Sequence, residues 1–146
     1  QALPLYEQVR QNLSVSLHVR RGDYVGQAAH AICSRDYYMK AVEQMKGLLR
    51  SPFTVYVFSD DLEWAQRELD IANAVFVDNS SESLPEADLF LMSSCRHHII
   101  ANSTYSWWAA WLNDAPDKQV IAPGLWMPGL HTKEIGLATP NMHTVS

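Results

Sequence analysis

What this chain has little of narrows the field first. Only two cysteines, Cys33 and Cys95, occur in 146 residues. They are too few and too unpatterned for a disulfide framework or a thiolate zinc site, and they read as reduced, buried thiols in a reducing compartment. No apolar run approaches membrane-spanning length, and nothing at Gln1 has the make-up of a signal peptide. Positive charge is scarce: 11 Lys and Arg against 16 Asp and Glu leave a net charge of −5. That balance excludes nucleic-acid binding through a general basic field. A Gly-rich phosphate loop, a nucleophile elbow and an HExxH pair are all missing. So is an initiator Met, which reads as a fragment or a processed product. There is no internal repeat and no low-complexity segment.

What is present is a core. Hydrophobic residues make up 47 %, with five Trp and six Tyr, enough for one folded domain. Five short apolar runs read as strands: 13–19, 53–58, 74–77, 98–101 and 119–122. Between them lie stretches with helical spacing. Residues 1–11 read as the end of a helix, and 34–49 as a helix with Tyr37, Tyr38, Ala41, Val42 and Met45 on its apolar face. Helices are also expected over 62–69, 86–95 and 105–113. Residues 80–85 read as a loop, and from about residue 125 the Gly, Pro and polar content predicts an irregular tail. Alternating strands and crossover helices predict an α/β fold, a Rossmann-like doubly wound parallel sheet of about five strands with helices on both faces.

In such a sheet, ligands bind at the carboxyl ends of the strands. The first strand runs into His18-Val19-Arg20-Arg21-Gly22-Asp23. Guanidiniums present planar forks of donors suited to phosphate oxygens, and a glycine permits close backbone approach. An ordinary strand-end turn with an Arg–Asp salt bridge is the competing reading. The second strand ends at Ser59, Asp60 and Asp61, the third at Asp78 and Asn79, and the fourth at Asn102, Ser103 and Thr104. The last group leads into a helix start, where exposed N–H groups and the positive dipole end form a natural phosphate seat. Common Ser/Thr capping explains the same residues. Two positive features at one edge suggest a diphosphate, and Asp88 or Asp60 could accept both N–H groups of a guanine edge. Asp60 and Asp61 could instead hold magnesium, or cap the helix that follows. His97 and His98 are adjacent, so on a strand they face opposite ways and cannot share a metal; one is expected in the core and one at the surface. Trp107, Trp108 and Trp111 read as helix core packing rather than a sugar platform.

The motif His18-Val19-Arg20-Arg21-Gly22-Asp23-Tyr24, the run Phe58-Ser59-Asp60-Asp61 and the block DLFLMSSCRHHIIANSTYSWWAAWLN over 88–113 resemble the α-1,2-fucosyltransferases of glycosyltransferase family 11. Val120-Ile121-Ala122-Pro123 and Trp126 also fit, so the likeness spans the chain. It implies one half of a GT-B glycosyltransferase, with inverting transfer of fucose from GDP-fucose to a galactose 2-hydroxyl and no metal or other cofactor. By the same resemblance Arg20 and Arg21 hold the diphosphate and stabilise the leaving group, and Asp88 meets guanine. Ser103 and Thr104 meet phosphate, and His18 supports the loop or touches the nucleotide. Gly22, Ser59, Asp60 and Asn102 complete the expected donor site, and Asp23 is a candidate base, with a salt-bridge role as its alternative. Family members are about twice this length, so the chain is expected to be a GDP-fucose-binding domain over 1–146, lacking the amino-terminal half that recognises the galactose-terminated acceptor, and inactive alone. The implied setting is cytoplasmic, at the inner face of the membrane if the source is bacterial. A sugar-nucleotide-binding module without catalysis, and a magnesium-dependent phosphate-transfer domain using Asp60 and Asp61, are the alternatives.

Overall fold

A computed structural model of the chain describes residues 4–21, 33–78, 85–127, 129–134 and 141–145. The fold is α/β and Rossmann-like. Helix α1 (Leu5–Gln11) leads to strand β1 (Ser14–Val19), followed by α2 (Arg35–Leu49), β2 (Thr54–Ser59), α3 (Leu62–Glu68) and β3 (Ala74–Phe76). Then come α4 (Pro85–Ser94), β4 (His97–Ile99), α5 (Thr104–Leu112) and β5 (Val120–Pro123). A hairpin of β6 (Leu125–Met127) and β7 (Leu130–His131), a 3₁₀ turn (Thr132–Glu134) and β8 (Met142–Val145) complete it. The main sheet runs in the order β3-β2-β1-β4-β5-β8, every pair parallel.

This corrects the sequence expectation in two places. The sheet has six strands among the described residues, not five, because Met142–Val145 pairs with β5. Among the described residues after 125, a hairpin, a 3₁₀ turn and β8 stand where an irregular tail was expected. These strands are short and interrupted by glycine and proline, which hides them from pattern reading. Strand ends also move: Ser59 is the last residue of β2 rather than the first beyond it, and β4 begins at His97 and stops at Ile99.

Helices cover both faces. On one, Val15, Leu17 and Val19 of β1 pack with Val55, Val57, Ile99 and Ile121 beneath α2 and α3. On the other, Tyr56, Phe58, Ile100, Val120 and Ala122 meet α1, α4 and α5. Helix α2 starts at Ser34, whose side chain accepts from the Tyr37 N–H, and stops at Arg50 in the left-handed region (φ 55°). Both cysteines are buried free thiols, and burial pushes each up to about 12. No helix among the described residues is long and apolar enough to cross a membrane.

Helix α5 departs most from expectation. Its buried residues are Ser106, Ala109 and Ala110, all small, and of the three tryptophans Trp107 packs part-buried against Ile100, Val120 and Ala122, as expected of a core residue. Trp108 and Trp111 are 47 % and 51 % exposed, against the expected core role. Trp107 is half-buried and stacks on Trp111, with centroids 5.5 Å apart and planes 11° apart. His97 and His98 are both buried, so the expected division into core and surface fails. They do face different partners, as strand alternation requires. His97 Nδ1 accepts from the Gln119 N–H, while His98 meets Ser16 and Asn113.

Candidate functional site

The parallel sheet brings the ends of β1, β2 and β4 to one edge. Register sets Val19 beside Ser59, so the residues that follow each strand are neighbours. Arg21 donates its backbone N–H to Asp60 Oδ1 at 2.8 Å, tying the two strand ends together. Arg20 Nε lies 3.8 Å from Asp60 Oδ2, and Arg21 Nε lies 3.4 Å from Asp61 Oδ2. The Arg21 guanidinium carbon sits 4.2 Å from the centre of the Trp64 ring. Asp61 caps α3 by accepting from the Trp64 N–H at 3.2 Å, and Ser59 Oγ accepts from the Asp61 N–H at 2.8 Å. Asp61 therefore does become a helix cap, while both carboxylates also engage arginines. Among the described residues, no three His, Cys, Asp or Glu side chains converge as a metal site would require.

His18 lies under this edge. Its Nδ1 is 2.7 Å from Ser106 Oγ, and that oxygen accepts from the Ala101 N–H at 3.1 Å. One hydroxyl thus joins β1, the end of β4 and the first turn of α5. Burial, with Arg20 adding to it against Asp60, lowers the His18 pKa to about 4. The imidazole is neutral at pH 7, so it can support the arginine loop but adds no charge for an anion.

Helix α5 supplies the third component. Ser103 caps it, accepting from the Ser106 N–H, and is buried. Thr104, the first helical residue, is exposed. Asn102 is buried and donates to the Trp126 carbonyl at 3.1 Å, binding the loop to β6. Asp88 sits in the first turn of α4, partly buried. Its charge reaches Tyr105, whose pKa is pushed up to about 12 by burial first and then by Asp88 and Glu86. The Tyr105 ring lies 5.5 Å from that of His18, so Asp88 and the end of β1 meet through one aromatic residue. Gly22, Asp23 and Asn79 lie outside the described residues. Asp78 is exposed at the end of β3.

The arrangement offers two guanidiniums and a helix N-terminus at one edge, with a carboxylate beyond, and so can hold an extended dianion attached to a hydrogen-bonding ring. Sequence comparison fixes the lineage of this edge. The family model described as Glycosyl transferase family 11 matches residues 5–134. The chain belongs to that family. It is 43 % identical over 121 residues to the O-antigen biosynthesis glycosyltransferase WbnK of Escherichia coli, covering 80 % of this chain and 40 % of that protein. It is 37 % identical over 134 residues to an Escherichia coli alpha-1,2-colitosyltransferase, covering 86 % and 45 %. With the mouse galactoside 2-alpha-L-fucosyltransferase Sec1 it shares 33 % over 104 residues, covering 67 % and 28 %. The chain spans less than half the length of these relatives. No solved structure matches it.

Sequence reasoning missed three residues of the site: Trp64, Tyr105 and Ser106. A signal existed for two of them. Trp64 and Ser106 each stand three residues after a capping side chain, Asp61 and Ser103, on the turn that faces the strand ends. Tyr105 carried no comparable mark.

Proposed function

We propose that this family 11 chain forms the donor-binding side of an inverting glycosyltransferase that takes L-fucose from GDP-fucose to the 2-hydroxyl of a galactoside. The observation that carries the reading is the Arg20–Arg21 pair, held by Asp60 and Asp61 at the carboxyl edge beside the start of α5, in a chain of this family. In the reaction, fucose departs with oxocarbenium character and GDP gains negative charge. Arginines already fixed near that charge stabilise it more strongly as it develops, which lowers the barrier without a metal. Ser103, Thr104 and the N–H groups of α5 add donors to the same phosphates, and Asp88 receives the guanine edge. Asp23 is the proposed base for the acceptor hydroxyl. The acceptor is proposed to dock on a separate amino-terminal half of the enzyme, so this chain alone binds GDP but transfers little. The reading carries with it a cytoplasmic setting, where free thiols such as Cys33 and Cys95 persist.

A second reading, transfer of colitose, is favoured by the 37 % identity to the colitosyltransferase. Calorimetric titration with GDP, GDP-fucose and GDP-colitose, each with EDTA or with magnesium, tests both. The fucose reading expects GDP and GDP-fucose to bind equally well in EDTA, with GDP-colitose weaker. Tighter GDP-colitose binding would select the second reading. Binding that requires magnesium would overturn the metal-free mechanism.

A further inference from the structure

The contact that fixes Arg21 is made by a residue outside every motif that suggested the site. The Arg21 side chain meets, among others, two partners of different kinds. One is the Asp61 carboxylate at 3.4 Å from Nε, the other the face of Trp64 at 4.2 Å from the guanidinium carbon. The Arg21 side chain is only 17 % exposed, so this packing is close. Trp64 is itself held twice over. Its backbone N–H donates to Asp61 Oδ1 at 3.2 Å, and its ring packs against the core beneath α2 and α3. One carboxylate thus grips the arginine with one oxygen and the first turn of α3 with the other.

The two contacts differ in what they leave for a ligand. A carboxylate engages the N–H fork, the same donors that a phosphate oxygen needs. An aromatic face attracts the cation through its quadrupole and leaves the fork's edge for other partners. Without the ring, the carboxylate would dominate and draw the guanidinium onto itself.

We infer that Trp64 is a positioning residue for Arg21, holding the guanidinium flat and its donor edge presented to the donor diphosphate. The inference rests on the proposed role of Arg21 in GDP binding. It also makes Asp61 a part of the same device rather than a metal ligand.

The test uses the 146-residue chain and GDP as the probe, with circular dichroism to check folding. Trp64→Tyr keeps an aromatic face, and Trp64→Leu keeps apolar bulk without one. The expected result is GDP affinity within twofold of wild type for Trp64→Tyr and about fivefold weaker for Trp64→Leu, the scale of a partly desolvated cation–π contact. The Arg21 Nε proton should resonate upfield in wild type, from the ring current, and return downfield in Trp64→Leu. Equal GDP affinity of folded Trp64→Leu and wild type would overturn the inference. Should Trp64→Leu not fold, mono-, di- and trifluorinated tryptophan placed at 64 keep the shape and weaken the quadrupole stepwise. Affinity falling with each fluorine supports the inference, and a flat series contradicts it. Loss of GDP binding by wild type would instead count against the donor-site reading, while the Arg21 proton shift still tests the stack.

Discussion

The two faces of strand β1 are built from different chemistry. Val15, Leu17 and Val19 point into a dry cluster of aliphatic and aromatic side chains. Ser14, Ser16 and His18 point the other way and are as deeply buried, yet each is hydrogen-bonded. Ser14 Oγ donates to the Val9 carbonyl and accepts from the Arg96 N–H. Ser16 meets His98, whose other ring nitrogen receives the Asn113 side-chain amide. Since Asn113 Oδ1 accepts from the Ala115 N–H, its nitrogen is the donor, so His98 is neutral and donates through Nδ1 to Ser16. Apolar packing tolerates sliding and repacking, whereas a buried hydrogen bond is met in one geometry only. The dry face therefore supplies stability, and the polar face fixes β1 against β4 and α5, the elements that carry the candidate site.

Acid should break that division most severely. In the unfolded chain His18 and His98 take up a proton near pH 6.5, but burial lowers them to about 4 and about 3 in the fold. The unfolded chain thus binds more protons in the interval. The stabilisation is complete above about pH 6.5 and is lost as pH falls through it towards those values, by about 1.4 kcal/mol per pH unit for each histidine. Urea midpoints measured from pH 7 to pH 5 should fall steeply, and His98→Asn should flatten the slope.

Truncation on the dry face comes next. Leu17→Ala should cost about 3 kcal/mol by chemical denaturation while the folded fraction keeps its GDP affinity within twofold. On the polar face, Ser106→Ala should cost less, about 2 kcal/mol, because it strands the Ala101 N–H and the His18 ring nitrogen. Unlike Leu17→Ala, it should also weaken GDP binding several-fold. Equal effects of both substitutions on affinity would erase the distinction between the faces. The smallest change belongs outside both faces. Trp111→Ser should shift stability by less than about 0.5 kcal/mol, since Trp111 lies on the exposed side of α5. A loss as large as that of Leu17→Ala would restore the core role that the sequence suggested.

Much of this organisation was legible in the residue pattern. Parallel strands have near-continuous apolar runs, so β1, β2 and the order of crossovers stood out, and with them the shared edge of Arg20, Asp60 and Ser103. The edge strand β8 was hidden because its strand signal is four residues long and follows a Gly- and Pro-containing stretch. Trp107 packs against the core but Trp108 and Trp111 do not, because the small Ala109 and Ala110 decide which side of the helix approaches the sheet, and bulk alone does not mark burial. Strand alternation put only one of His97 and His98 in the core, and the Gln119 N–H that His97 Nδ1 accepts lies 22 residues away in the chain. Long-range hydrogen bonds leave no local mark, and the Ser106–His18 contact across 88 residues is the same case.

The most direct measurement is two-dimensional NMR of the chain during titration with GDP in EDTA. The amides of Arg20, Arg21, Ser103 and Thr104 and the Arg21 Nε proton are expected to shift together, while Asp114 to Lys118 at the opposite edge of the sheet stay in place. Shifts centred on residues 114–118, or none at the strand ends at saturating GDP, would contradict it.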